Sequence, residues 1–150
     1  MSQQQLQQLS QELQEIEEQI ETLQQNVEGV QQEQHDVDEA IEALDTLETG
    51  STVQVPLGGG AYLRATIEDI DEVIVDLGAD YAAEFEEGDA VDALENKKVR
   101  LGDRIDDINE EISELQAESQ ELEQQAQQLQ QQAMQQQMQQ MGQQGQGPDE

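Results

Sequence analysis

From residue 6 to residue 44 the chain places apolar residues alternately three and four positions apart. Leu6, Leu13, Ile20, Val27 and Ile41 fall on one heptad position. Leu9, Ile16, Leu23, Val30, Val37 and Leu44 fall on its partner, and only Gln34 breaks the seam. A run of this length exceeds what a short amphipathic helix needs and specifies a coiled-coil strand. At 1.5 Å per residue it spans roughly 70 Å. The last third repeats the pattern. Val91, Ile105, Ile112, Ala126 and Ala133 occupy one position, and Leu94, Leu101, Ile108, Leu115, Leu122 and Leu129 the other. Lys98 and Ser119 are polar intrusions. The spacing predicts a second helix over 88–141, roughly 75–80 Å long.

Between these segments the period drops from 3.5 to 2. Thr52 to Leu57 alternates, Gly58-Gly59-Gly60 turns the chain, and Ala61 to Ile67 alternates back. After the polar run Glu68 to Glu72, Val73 to Leu77 leads through Gly78-Ala79-Asp80 into Tyr81 to Glu86. Two turn signals among four β-rich runs predict two hairpins. Pro56 puts its strand at an edge or at its own end. The expected class is α+β: a long antiparallel coiled-coil hairpin with a central insert of two β-hairpins. The expected divisions are 1–48 for the first helix, 49–87 for the hairpins, 88–141 for the second helix and 142–150 for a disordered tail. In an antiparallel pair each residue of one seam position faces the other position. Registers in which facing residue numbers sum to 135 or to 142 both satisfy this. Ala126 and Ala133 bury little area, so the coil is expected to loosen toward its free ends.

The insert cannot stand alone. Two hairpins of this size are marginal in water, and open edges and apolar faces are normally covered. Oligomerisation through Val53, Val55, Leu57, Tyr62, Leu63, Ile67, Val73, Val75, Leu77 and Tyr81 is the economical solution.

Charge and composition narrow the function. The 150 residues hold 36 Asp and Glu against 5 Lys and Arg, a formal net charge of −31. Such acidity repels nucleic acid, whose phosphates need clustered cations, and disfavours anionic lipid. No apolar run suits a membrane span, and the N-terminus reads as no signal peptide, so a cytoplasmic location is expected. With no Cys, disulfides, thiolate catalysis and Cys-zinc sites are excluded. Acidity and low hydropathy alone fit disorder, but the heptads keep the acids off the seam. The charge therefore reads as the surface of an ordered protein suited to high salt.

The order helix, two hairpins, helix, together with Val55-Pro-Leu-Gly-Gly-Gly-Ala-Tyr62 and Val73-Ile-Val-Asp-Leu-Gly-Ala-Asp-Tyr81, resembles the α-class subunits of archaeal prefoldin over about residues 5–140. Asp80 stands where that pattern often has Gly. The resemblance implies a halophilic member of a hexamer of two α and four β subunits, whose inserts form an oligomeric β-barrel body. It implies an ATP-independent chaperone that captures unfolded client proteins and passes them to a group II chaperonin. It implies no enzyme activity and no cofactor.

The coil tips are the expected client site: Leu6, Leu9 and Leu13 on the first helix, Leu129, Met134, Met138 and Met141 on the second. The three Met residues step by four and then three, off the main seam, and their pliable thioethers suit varied apolar segments. The competing reading of Leu6, Leu9 and Leu13 is that their main role is simply to complete the coil. Every cation except Arg64 lies in Lys97, Lys98, Arg100 and Arg104, where local or intersubunit ion pairing is expected. The triple glycine lacks the Lys-Ser/Thr of a phosphate loop. Asp36/Asp38 and Asp69/Asp71 lack calcium-loop spacing, and the lone His35 has no nucleophile pattern beside it. An acidic coiled-coil scaffold without client binding is the alternative function.

Overall fold

The computed structural model describes residues 2–144. Helix α1 spans Ser2–Thr46, strands β1 to β4 span Thr52–Gly58, Ala61–Thr66, Val73–Gly78 and Tyr81–Phe85, and helix α2 spans Glu87–Gln144. Helix α2 thus runs three residues past the end the sequence places at Met141, and residues 145–150 lie outside the described residues.

The chain forms two compact units. One comprises residues 1–27 and 107–150, the other residues 28–106. In the first, α1 and α2 run antiparallel. Leu9 shares a groove with Leu129, and Leu23 with Leu115. Ile16 and Ile112 are its buried seam residues, while the other seam positions are half-buried.

The second unit carries the main core. Val30, Val37 and Leu44 from α1, Val75 from β3, and Ala90, Leu94 and Leu101 from α2 form one buried cluster. All of the α1 and α2 members except Ala90 are predicted seam residues. Gln34 Nε2 donates to the Lys98 carbonyl at 3.3 Å, and Lys98 Nζ meets Asp38 Oδ1 at 2.8 Å. These contacts select the register near 135 in this unit and exclude 142. Gln34 and Lys98, one intrusion from each seam, therefore share a single polar layer. Gly102 lies against it, its Cβ direction only 3.4 Å from Gln34 Nε2.

The strands pair as two separate antiparallel hairpins, β1 with β2 and β3 with β4, and no barrel closes within the chain's described residues. Each hairpin has a two-residue loop. Gly59 and Gly60 have φ of 62° and 80°, and Ala79 and Asp80 have 51° and 60°. Positive φ at both central residues marks the type I′ turn, whose twist suits a hairpin. Asp80 supplies the left-handed conformation that Gly often would, but Ala79 adopts it with a Cβ. Asp76 Oδ1 accepts from Gly78 N at 2.9 Å and sets up this second turn.

Short polar links fasten the insert to the helices. Gly50 N donates to Ile67 O at 2.8 Å and Ile67 N to Ser51 O at 2.9 Å, extending the first ladder toward α1. Asp71 Oδ1 accepts from Glu87 N at 3.3 Å, so a side chain from the β2–β3 connection satisfies a free amide at the start of α2. Glu87 and Asp89 in that first turn suit the positive end of the helix dipole.

Candidate assembly and client-binding surfaces

The two hairpins differ in what covers them. In β1 and β2 the register Val53↔Ala65 and Val55↔Leu63 gathers Val53, Val55, Leu57, Leu63 and Ala65 on one face. No residue of β1 or β2 belongs to the core cluster or packs against it. Val55 and Leu63 are exposed, and Leu57 is 65% exposed. On the opposite face Tyr62, paired with Pro56, is also exposed. Val53 and Ile67 are half-buried.

Hairpin β3–β4 is already docked. Val73, Val75 and Leu77 point one way; Val75 is only 4% exposed, and Val73, Leu77 and Phe85 pack on the same cluster. These three β3 residues therefore serve the chain's own core first. The apolar residue this hairpin presents outward is Ile74, 75% exposed, with Tyr81 exposed near the turn. Ile74 is not among the expected assembly residues, although period-2 alternation puts it opposite Val73 and Val75.

Among the expected client residues, Leu6, Leu9, Leu13 and Leu129 are half-buried along the seam. Leu9 and Leu129 sit at the floor of an open groove walled by Gln5, Gln8, Glu12, Gln125, Gln128 and Gln132. Met134, Met138 and Met141 are strongly exposed and lie on the helix surface away from half-buried Ala133. The structure thus separates four seam leucines from a free Met stripe.

The remaining candidates have local structural partners. His35 Nε2 is 3.2 Å from Glu39 Oε1, one turn along α1, and both are exposed. Asp36 accepts from Gln32, Asp69 accepts from the Asp71 amide, and Asp71 caps α2. Among the described residues no three His, Asp or Glu side chains form a metal-binding group, and no helix is long and apolar enough to cross a membrane. Among the described residues no charged or polar residue is buried, so their acids occupy outward faces.

Comparison with known proteins places this architecture. The family model for prefoldin subunits matches residues 16–132. The chain belongs to the prefoldin family. It is 62% identical to the prefoldin subunit alpha of Halorubrum lacusprofundi over 108 residues, covering 72% of this chain and 71% of that one. It is 66% identical to the prefoldin subunit alpha of Halobacterium salinarum over 106 residues, covering 71% and 69%. The match to the prefoldin subunit alpha of Haloarcula marismortui, also 66% identical, spans 73 residues, 49% of this chain and 47% of that relative. A filamentous PFD from Methanocaldococcus jannaschii, solved by cryo-EM, superposes with a TM-score of 0.66 at 26% identity, over 75% of this chain and 96% of that one. The α-class reading and the two-helix, two-hairpin prefoldin fold are thus established, and the named relatives include halophilic archaea. Prefoldin is a chaperone family and not an enzyme family, and its subunits form hetero-oligomers.

Proposed function

We propose that this prefoldin subunit assembles with β-class subunits through its hairpins, two α to four β, and holds non-native proteins at the ends of its helices without ATP. Transfer of the client to a group II chaperonin, in the cytoplasm, completes the proposed role. One observation carries the reading. Of the large apolar side chains left exposed among the described residues, all but Val99 lie in the hairpins or in the Met stripe. Exposed apolar clusters mark surfaces that meet another molecule. The hairpin cluster sits on strands with open edges, which suits permanent pairing. The Met stripe sits among Gln residues, which offer neutral hydrogen bonding and impose no partner, as capture of varied sequences requires.

The test is co-expression with a β-class partner, native mass, and aggregation of a denatured client. A discrete hetero-oligomer that slows aggregation is expected. Replacing Met134, Met138 and Met141 by Gln should leave the mass unchanged and weaken the protection. If the variant protects as well as the parent, the stripe is not the client surface. An open-ended filament of this chain alone would replace the discrete complex with an assembly like that of the Methanocaldococcus protein.

A further inference from the structure

Lys97, Arg100 and Arg104 recur at i, i+3 and i+7 on α2 and therefore share one flank of the helix. In a chain carrying 36 acids, a cation would ordinarily find an acid of its own chain. Lys98 does so, with Asp38. Arg100 and Arg104 do not. The ion pairs among the described residues are Lys98–Asp38 and His35–Glu39. Asp103 and Asp107 stand one turn beyond each arginine, yet neither comes within 4.0 Å. Both arginines are exposed. Val99, the exposed large apolar residue outside the hairpins and the Met stripe, stands on the adjoining outer face.

The flank is continuous with the insert. Lys97 Nζ donates to the Asp76 carbonyl of β3 at 3.2 Å, so the stripe begins at the docked hairpin. That hairpin has only two strands, leaving its edges unpaired, and it presents Ile74 outward. A molecule lying along the hairpin reaches Arg100 and Arg104 next. We propose that the Lys97–Arg100–Arg104 flank is a docking strip for an acidic segment of a neighbouring subunit in the prefoldin complex. The proposal rests on the assembly reading above.

Charge complementarity selects this occupant. A neighbouring subunit as acidic as this chain, with 36 acids against 5 cations, offers acidic faces nearly everywhere, so cations are the scarce half of any intersubunit pair. Paired charges at an interface fix orientation and reject wrong registers more than they add affinity. Arginine suits this task because its planar fork holds a carboxylate in a defined geometry. Three cations are too few to hold a phosphate backbone against this net charge.

The test uses the full complex. Arg100→Glu/Arg104→Glu changes the net charge by four units. A control with Gln11→Glu, Gln14→Glu, Gln24→Glu and Gln25→Glu, all exposed, changes it equally. The arginine variant should raise the subunit concentration for half-assembly by about tenfold in moderate salt, with the gap narrowing in concentrated salt. The control should shift it far less. Arg100→Gln/Arg104→Gln should fall between parent and reversal, and guards against a reversal that misfolds. In a second arm, Asn96→Cys, unique in this Cys-free chain, carries a photo-cross-linker into the assembled complex. It should capture an acidic peptide of another subunit. Equal shifts in reversal and control, or cross-links confined to this chain, overturn the docking strip while leaving the assembly reading intact. A parent chain that forms no complex overturns both.

Discussion

The sharpest consequence of the hairpin geometry concerns two adjacent residues, Ile74 and Val75. They sit on opposite faces of β3, the first 75% exposed and the second 4% exposed. Replacing each by Thr introduces the same β-branched side chain, so strand propensity barely changes. At Val75 a methyl in the buried cluster that includes Val37, Leu44 and Leu94 gives way to a hydroxyl. The lost methyl costs about 0.8 kcal/mol, and a buried hydroxyl without a partner roughly another 1–3 kcal/mol. At Ile74 the removed carbons are mostly in water already, so the cost to the single chain is about 0.5 kcal/mol or less. Urea titration in molar salt, followed by helical circular dichroism, should show a clear midpoint loss for Val75→Thr and almost none for Ile74→Thr. Mixed with the partner subunit, the order should invert for assembly, because Ile74 faces outward. Equal midpoint losses, or a larger loss at Ile74, would refute the face assignment of the second hairpin.

Three further outcomes follow from particular residues. Ala79→Gly should stabilise the chain by about 0.5–1 kcal/mol in thermal melts, since a left-handed alanine costs about 1–2 kcal/mol and the glycine returns part of that as unfolded-state entropy. Asp38→Asn should cost only about 0.5 kcal/mol in the same melts, because the Lys98–Asp38 pair is about half exposed and screened by solvent; a loss of several kcal/mol would mean the polar layer is the main support of the coil. Raising salt from 0.1 M to 1 M shortens the screening length from about 10 Å to about 3 Å, so the melting temperature should climb steeply for a chain of net charge −31, and a flat profile would contradict the reading of its acidity.

Much of the fold is legible in the sequence because its two periods are long and clean. Every predicted seam residue of both helices is buried or half-buried, since a heptad error would expose a whole stripe at once. The hairpins are legible because Gly58–Gly60 and Gly78–Asp80 mark the turns by their conformational demands. Register was not legible. Two heptad alignments bury the same kinds of side chain, and the meeting of Lys98 with Gln34 and Asp38 separates them. The face assignment of the hairpins was also out of reach. Val53, Val55 and Leu57 look like Val73, Val75 and Leu77 as strings, but one set is left open and the other is covered by α1 and α2. That difference depends on how short polar links, such as the Asp71 cap on Glu87, aim each hairpin.

The distribution of burial gives the client reading a physical basis that a list of exposed methionines does not. Among the described residues, the unit of residues 28–106 contains seven of the nine buried apolar residues, while the unit of residues 1–27 and 107–150 contains Ile16 and Ile112. Beyond these two, the seam toward the helix ends consists of half-buried Leu6, Leu9, Leu13, Leu115, Leu122, Leu129, Ala126 and Ala133, interrupted by Ser119. Each alanine at a seam position forgoes most of the area a leucine would bury. The terminal heptads therefore hold together with little free energy, and segments with few buried contacts open at low cost. Local opening would add Leu9 and Leu129 to the surface that Met134, Met138 and Met141 already present. In the proposed client role the two readings of the N-terminal leucines do not compete: the same side chains would close the coil without a client and line an apolar cleft with one. An acidic surface sharpens this arrangement, because the ends carrying Gln in place of Asp and Glu are where an apolar, uncharged segment meets the least desolvation cost.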